Sequence, residues 1–271
     1  MTTGAYFAVS QGFDRLAPRY DELIESNPLH AHLRVRSLAW LDEAFRPGMR
    51  VLEIGCGVGT EVVHLAGRGV EVTATDVSQA MVDLTQERVR THGVQERVHV
   101  VRCAAGEIST RFDSASFDGA YASFGPLNCE PDLRQAFGEI AAVMKPGSNL
   151  LTSIVSRPCV MEMTAAAAHL AFRKAFRRLS EATSIDLNGT GAVTVRAYSE
   201  GEIRRSLGAW FRIERLEGWL VALPPPYLAE AWERVRILHR PLERADERLH
   251  NRWPFRGLGD HLHVWARKVG S

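Results

Sequence analysis

The sequence predicts an α/β fold in which a mostly parallel sheet carries helices on both faces. From Arg50 onward, short apolar strand-like runs alternate with segments of helical period, as strand–crossover–strand units do. At the first such junction, Gly55-Cys56-Gly57-Val58-Gly59, three glycines stand at alternate positions between a buried strand and a helix. There the backbone can turn sharply and approach a ligand closely. The composition, 45% hydrophobic and 24% charged over 271 residues, fits one ordinary globular domain with insertions.

Taken in order, residues 6–45 predict two or three helices ahead of the first strand, Arg50–Ile54. The run Val70–Asp76 predicts the second strand, and Ser78–Arg90 an apolar-periodic helix that Asp76 or, better placed, Ser78 would cap. The segment Cys103-Ala104-Ala105-Gly106-Glu107 follows a third strand, a fourth spans Ser116–Phe124, and a fifth lies near Leu150–Val155. Alternation then breaks: Pro158–Ala192 predicts a helical stretch ending in the loop Asn188-Gly189-Thr190-Gly191. It resumes with a strand at Val193–Tyr198, a helix at Glu200–Leu207 and a strand at Phe211–Glu217. A second break runs from Pro224-Pro225-Pro226 to about Gly259, before a last strand at His261–Arg267. The chain thus divides into cap helices at 1–46, a core of 47–157, 193–223 and 260–271, and insertions at 158–192 and 224–259. The insertions and the cap helices fall at the carboxyl edge of the sheet, where open α/β sheets bind ligands, so they are expected to form a lid that keeps water out. The alternative is an insertion that thickens the fold or makes a homodimer contact.

The glycine loop discriminates between cofactors. A dinucleotide fingerprint has Gly-x-Gly-x-x-Gly ahead of a helix aimed at a pyrophosphate, whereas here the third glycine comes one residue early and Thr60 takes its place. Glu53, two residues before Gly55, puts a carboxylate at the strand end, which suits a ligand with an amino group and repels a diphosphate. Asp76 lies about twenty residues beyond the loop, where an acid can accept both hydroxyls of an adenosine ribose.

These segments resemble the class I S-adenosylmethionine-dependent methyltransferases of small-molecule type. Val51-Leu52-Glu53-Ile54-Gly55-Cys56-Gly57-Val58-Gly59 resembles their first motif, Val70–Asp76 the second strand with its ribose-binding acid, Ser116–Phe124 the fourth strand, and Val143–Leu151 the Pro-Gly turn before the fifth. The resemblance implies a Rossmann-like seven-stranded sheet, S-adenosylmethionine as cofactor, and a small-molecule acceptor. It also implies a cofactor site built from Tyr20, Glu53, Gly55, Cys56, Gly57, Gly59 and Thr60, from Asp76, Val77, Ser78 and Met81, and from Ala104, Ala105, Gly106, Glu107, Ser123 and Phe124. Tyr20 would reach the methionine end, or else pack on the sheet. The family commonly has Asp where Ala104 stands, which leaves contact with the adenine amine to backbone groups or Glu107.

For the acceptor, Phe124 is expected to wall the site and Asn128 to orient the substrate, with Trp219 and Tyr227 among the lid aromatics. Such transfer rests on holding acceptor, methyl carbon and sulfur in line, which can supply roughly 7–11 kcal/mol. Transfer to oxygen is the favoured expectation and needs a base unless the acceptor is already acidic. His30, His32, His169 and Asp14 lie in covering segments, but none has a spacing signature, so no catalytic residue is assigned. Arg173, Lys174, Arg177 and Arg178 form a basic cluster that could grip an anionic group. By contrast, the Arg236–Arg256 ladder is interleaved with acids and reads as a solvated face. His261 and His263 read as core or rim residues.

Net charge is +1, without the basic footprint that nucleic acid demands. Cys56, Cys103, Cys129 and Cys159 are scattered, so neither a metal site nor a disulfide framework is expected. No apolar run reaches membrane-spanning length and the N-terminus lacks signal-peptide character, so a cytoplasmic enzyme is expected. The alternatives are a scaffold that binds the cofactor without transferring from it, and an NAD(P)-dependent oxidoreductase.

Overall fold

A computed structural model describes residues 2–24, 26–168, 176–180, 183–186 and 192–270 of the chain. Its centre is a seven-stranded sheet built from β1 (Arg50–Ile54), β2 (Glu71–Asp76), β3 (Val98–Arg102), β4 (Phe117–Ala122), β5 (Met144–Val155), β8 (Phe211–Trp219) and β9 (His261–Lys268). The order is β3-β2-β1-β4-β5-β9-β8. β1 to β5 pair in parallel, and β9 runs antiparallel to both β5 and β8. The strand order reverses between β1 and β4, and a crevice therefore opens beyond their carboxyl ends.

Both faces of the sheet are buried, which is why the central strands read as nearly continuous apolar runs. On one face Val51, Val72, Tyr121 and Leu151 pack against α3 (Pro28–Ala44) and α4 (Thr60–Gly67). On the other, Leu52, Ala120, Leu150 and Leu262 meet α6 (Leu133–Val143) and α8 (Glu200–Leu207). Local caps set these helices. Asn27 accepts from the amides of Leu29 and His30 ahead of Pro28, and Asp132 accepts from Arg134 and Gln135. Ser199 and Glu202 form a reciprocal capping box at α8. Ser78, not Asp76, has the side chain that caps α5 (Gln79–Thr91), by accepting from the Met81 amide.

The first insertion differs from the expected helical stretch. The first contains α7 (Val160–Ala168), but its later part pairs β6 (Thr183–Asp186) with β7 (Ala192–Val195) as a separate antiparallel ribbon. The expected strand at Val193–Tyr198 therefore belongs to this ribbon and not to the main sheet; an isolated bridge, Ser156 to Tyr198, links that region to the end of β5. Arg178 is not free to grip a substrate: it pairs with Glu162 and Asp260, both nearly fully buried, and donates to the Ser156 and Asp260 carbonyls. Arg173, Lys174, His169 and the loop Asn188–Gly191 lie outside the described residues. The second insertion is helical, with α9 (Ala229–Arg234) and α10 (His239–Leu249). It is tied to β8 and α3 through Asp246, which accepts from the Val221 amide and pairs with Arg36. Among the described residues, no helix is long and apolar enough to cross a membrane, and no group of three or more His, Cys, Asp or Glu is placed to hold a metal.

Candidate active site

The glycine loop folds as its composition requires. Gly55, Gly57 and Gly59 have φ of 71°, 53° and 80°, in the left-handed region that residues with a Cβ avoid. The amides of Gly55 and Cys56 both donate to the Thr75 carbonyl at 2.7 and 2.9 Å, fastening the loop to β2. A Cβ at Gly57 would meet nothing nearer than the Tyr20 phenol, at 3.9 Å, so the backbone there faces open space. Beyond the carboxyl ends of β1, β2 and β4 lies a cavity of about 900 Å³, counting its solvent-open mouth.

Four acidic side chains line this cavity. Asp76 accepts from the Gly57 amide at 3.0 Å and the Ser78 amide at 2.9 Å, while burial pushes its carboxyl up to about 6. Glu53, 1% exposed, accepts the Tyr121 hydroxyl at 2.8 Å, and burial together with the neighbouring Glu61 pushes its carboxyl well above the usual range. Glu61 pairs with Arg34 at 3.7 Å. The fourth, Glu130, accepts the Tyr6 hydroxyl at 2.6 Å and is pushed by burial to about 6.

The cover over the cavity comes from the N-terminal helices. α1 (Thr2–Leu16) supplies Tyr6, Val9 and Phe13, α2 (Tyr20–Ile24) supplies Tyr20, and α3 supplies Arg34. Asp14 ties α1 down by accepting from the Ser78 hydroxyl at 2.6 Å and the Ala80 amide at 3.1 Å, and Arg88 pairs with Asp21 at 2.6 Å. Asp14 is thus spent on anchoring the cover. At the end of β4, Phe124 has a φ of 60°, a strained conformation for a bulky residue. The Arg34 guanidinium lies 5.3 Å from its ring centre.

Of the residues expected at the cofactor, Tyr20, Glu53, Gly55, Cys56, Gly57, Thr60, Asp76, Val77, Met81, Ala105, Ser123 and Phe124 line this one cavity. The others do not. Gly59 packs its backbone against Thr85, Ser78 is fully buried as the cap of α5, Ala104 is buried beneath the turn that follows β3, Gly106 is covered by the Tyr6 hydroxyl, and Glu107 points to solvent. Three expected acceptor residues are elsewhere as well. Asn128 is consumed in bracing the backbone, donating to the Val155 and Arg196 carbonyls and accepting from the Val155 amide. Trp219 is fully buried, stacked on His263 with Trp40 edge-on, and Tyr227 is 58% exposed. Among the described residues, nothing from either insertion lines the cavity, so the cover is N-terminal. His30 and His32 do not line it either; burial pushes His30 down to about 4.

Comparison with known proteins shows what part of this chain is similar to. Residues 51–147, the span from β1 to the turn before the long part of β5, match the family described as a methyltransferase domain. Residues 51–147 therefore carry a methyltransferase domain. The ubiquinone/menaquinone biosynthesis C-methyltransferase of Brucella suis biovar 1 (strain 1330) is 30% identical over 148 residues, 53% of this chain and 54% of that protein. The chain therefore spans about half the length of that curated relative. Two solved structures share the fold of the methyltransferase domain. The (4+2)-cyclase SpnF has a TM-score of 0.66 at 19% identity, covering 97% of this chain and 96% of that one. Geranyl diphosphate C-methyltransferase from Streptomyces coelicolor A3(2), solved with S-adenosyl-L-homocysteine, has a TM-score of 0.60 at 16% identity, covering 93% and 84%. The presence of a cyclase on the same scaffold means that the fold alone does not specify transfer.

The residues lining the cavity fit S-adenosylmethionine, the cofactor that the sequence resemblance implies: open space stands where a Cβ at Gly57 would be, and buried carboxylates line the cavity on and beside the loop. Several lining residues escaped the sequence reading as site residues, among them Tyr6, Arg34, Glu61 and Glu130. Of these, only Glu61 carried a local signal, as an acid within the first turn of the helix leaving the glycine loop.

Proposed function

We propose that the protein transfers a methyl group from S-adenosylmethionine to a small hydroxylated aromatic or enolic molecule. The observation that carries the reading is the joint placement of Gly57, Asp76 and Glu53 in one covered cavity. Asp76 accepts the ribose hydroxyls, Glu53 faces the amino group through the end of β1, and the open backbone at Gly57 admits the chain between them. Tyr20 closes the methionine end, where burial pushes its phenol up to about 12 and keeps it a neutral donor at physiological pH. Bound there, the cofactor supplies an already activated methyl group, so the chain's own task is positioning.

The acceptor enters beside Phe124 and Pro126, which line the cavity where Pro126 packs on Gly55 of the glycine loop, with Arg34 as the nearby cation. An ionised enol or phenol offers both oxygen and its neighbouring carbon as nucleophile, which accommodates the expected transfer to oxygen as well as the carbon transfer named for the Brucella relative. A near-neutral charge of +1 favours such an acceptor over nucleic acid.

The test is incubation with methyl-labelled S-adenosylmethionine and a panel of hydroxyquinols, naphthols, phenols and enols, read by label transfer and product mass. Label in an acceptor together with S-adenosylhomocysteine formation supports the reading. Cofactor binding without transfer to any member would replace it with a binding scaffold.

A further inference from the structure

Where the class I methyltransferases commonly carry an aspartate after the third strand, this chain has Ala104, which is buried and does not reach the cavity. A carboxylate reaches the same region from another element. Glu130, just past the short turn that follows β4, lines the cavity together with Cys103 and Ala105 and is 6% exposed. Its Oε2 accepts the Tyr6 hydroxyl at 2.6 Å, and the backbone amides of Ala105 and Gly106 also bond to the carboxylate. A carboxylate offers about four acceptor positions, so these three donors leave room for one more. Gly106 is part of the arrangement, since any side chain there would collide with the Tyr6 hydroxyl. The other cavity acids, Glu53, Glu61 and Asp76, belong to β1, the helix leaving the glycine loop, and β2.

We propose that Glu130 recognises the exocyclic amine of the cofactor's adenine in place of the missing aspartate, with Tyr6 holding it in position, and so makes the site selective for adenine over hypoxanthine. The inference rests on the cofactor reading above. Adenine presents an amine donor to this carboxylate, whereas hypoxanthine presents a carbonyl oxygen that the carboxylate repels. A site built around a required donor rejects the analogue that lacks it, because its own buried polar group is left unpaired.

The experiment is titration calorimetry of the full chain with S-adenosylhomocysteine and its deaminated counterpart, S-inosylhomocysteine, on the wild type, Glu130→Gln and Glu130→Ala. Each variant is compared through the ratio of its two affinities, so a general loss of stability cancels. The wild type should prefer the adenosyl ligand by about tenfold or more. Glu130→Gln, whose amide can donate to the hypoxanthine carbonyl, should shrink that preference at least about tenfold, and Glu130→Ala should abolish it. An unchanged ratio in both variants, or equal weakening of both ligands, would overturn the proposal and leave Glu130 as a brace for α1. Wild-type protein that binds neither ligand would overturn the cofactor reading and this inference with it.

Discussion

Replacing Asp76 by Asn separates the cofactor role of this acid from its structural one. The carboxylate holds two backbone amides, Gly57 through Oδ2 and Ser78 through Oδ1. Asparagine keeps one acceptor oxygen but turns a donor toward the other amide, leaving a buried N–H unpaired at a cost of about 1–3 kcal/mol. Part of that cost is offset, because the native carboxylate is itself strained by desolvation, as its rise to about 6 records. The expected loss of stability is therefore small, on the order of 1–2 kcal/mol, or a few degrees in Tm for a chain of this size. The loss of affinity should be much larger. Two ribose hydroxyls donating to an ionised carboxylate contribute about 1.5–3 kcal/mol each, and losing the equivalent of about 3 kcal/mol weakens Kd by roughly a hundredfold. Calorimetry with S-adenosylhomocysteine at neutral pH, alongside thermal unfolding without ligand, measures both quantities. An Asp76→Asn protein that binds the ligand within about threefold of wild type would refute the assignment.

Asp76 and Glu130 both rise to about 6 through burial, so the folded chain retains protons that the unfolded chain has released; ligand-free stability should fall as pH climbs from about 4 to about 6. Affinity should move the opposite way, because ligand donors need the carboxylate: a group of pKa about 6 is ionised in roughly one molecule in ten at pH ~5, predicting about tenfold weaker binding of S-adenosylhomocysteine there than at pH ~8 through Asp76 alone and up to about a hundredfold with Glu130, and a flat profile would contradict it. Gly57→Val should fold, since its Cβ meets nothing nearer than the Tyr20 phenol at 3.9 Å, with a left-handed backbone penalty of about 1–2 kcal/mol, yet lose cofactor binding; retained affinity by calorimetry would show that no ligand passes there. Arg178→Met should cost about 3–5 kcal/mol by removing the cation that pairs with the buried Glu162 and Asp260 carboxylates while leaving cofactor affinity within about twofold, measured by denaturant unfolding and calorimetry. A drop in affinity larger than that in stability would instead place Arg178 at the ligand.

What was legible in the sequence was whatever depends on neighbours along the chain. Left-handed turns need glycine, so the loop at Gly55, Gly57 and Gly59 announced itself, and an acid closing an apolar run marked the ends of β1 and β2 at Glu53 and Asp76. Tyr6, Arg34 and Glu130 carry no such mark. Tyr6 and Glu130 are 124 residues apart, and they meet only because α1 lies across the mouth of the sheet. The same blindness misplaced Trp219 and Tyr227: both are aromatic and near a proposed lid, but one is buried against His263 and the other faces solvent. Thr183–Asp186 is a four-residue, largely polar strand whose pairing partner, Ala192–Val195, supplies the reason for its conformation. In Asn128 the side-chain amide signalled polarity, and the fold used that polarity to brace the backbone at Val155 and Arg196.

The most direct test of the central claim is thermal unfolding of the full chain with S-adenosylmethionine, S-adenosylhomocysteine and NAD in parallel. A ligand at about a hundred times its Kd stabilises by about 2.7 kcal/mol, or roughly 5–10 °C for a chain of this size. The cavity around Gly57, Glu53 and Asp76 predicts such a shift with both sulfur ligands and none with NAD. A shift with NAD alone, or with none of the three, would contradict it.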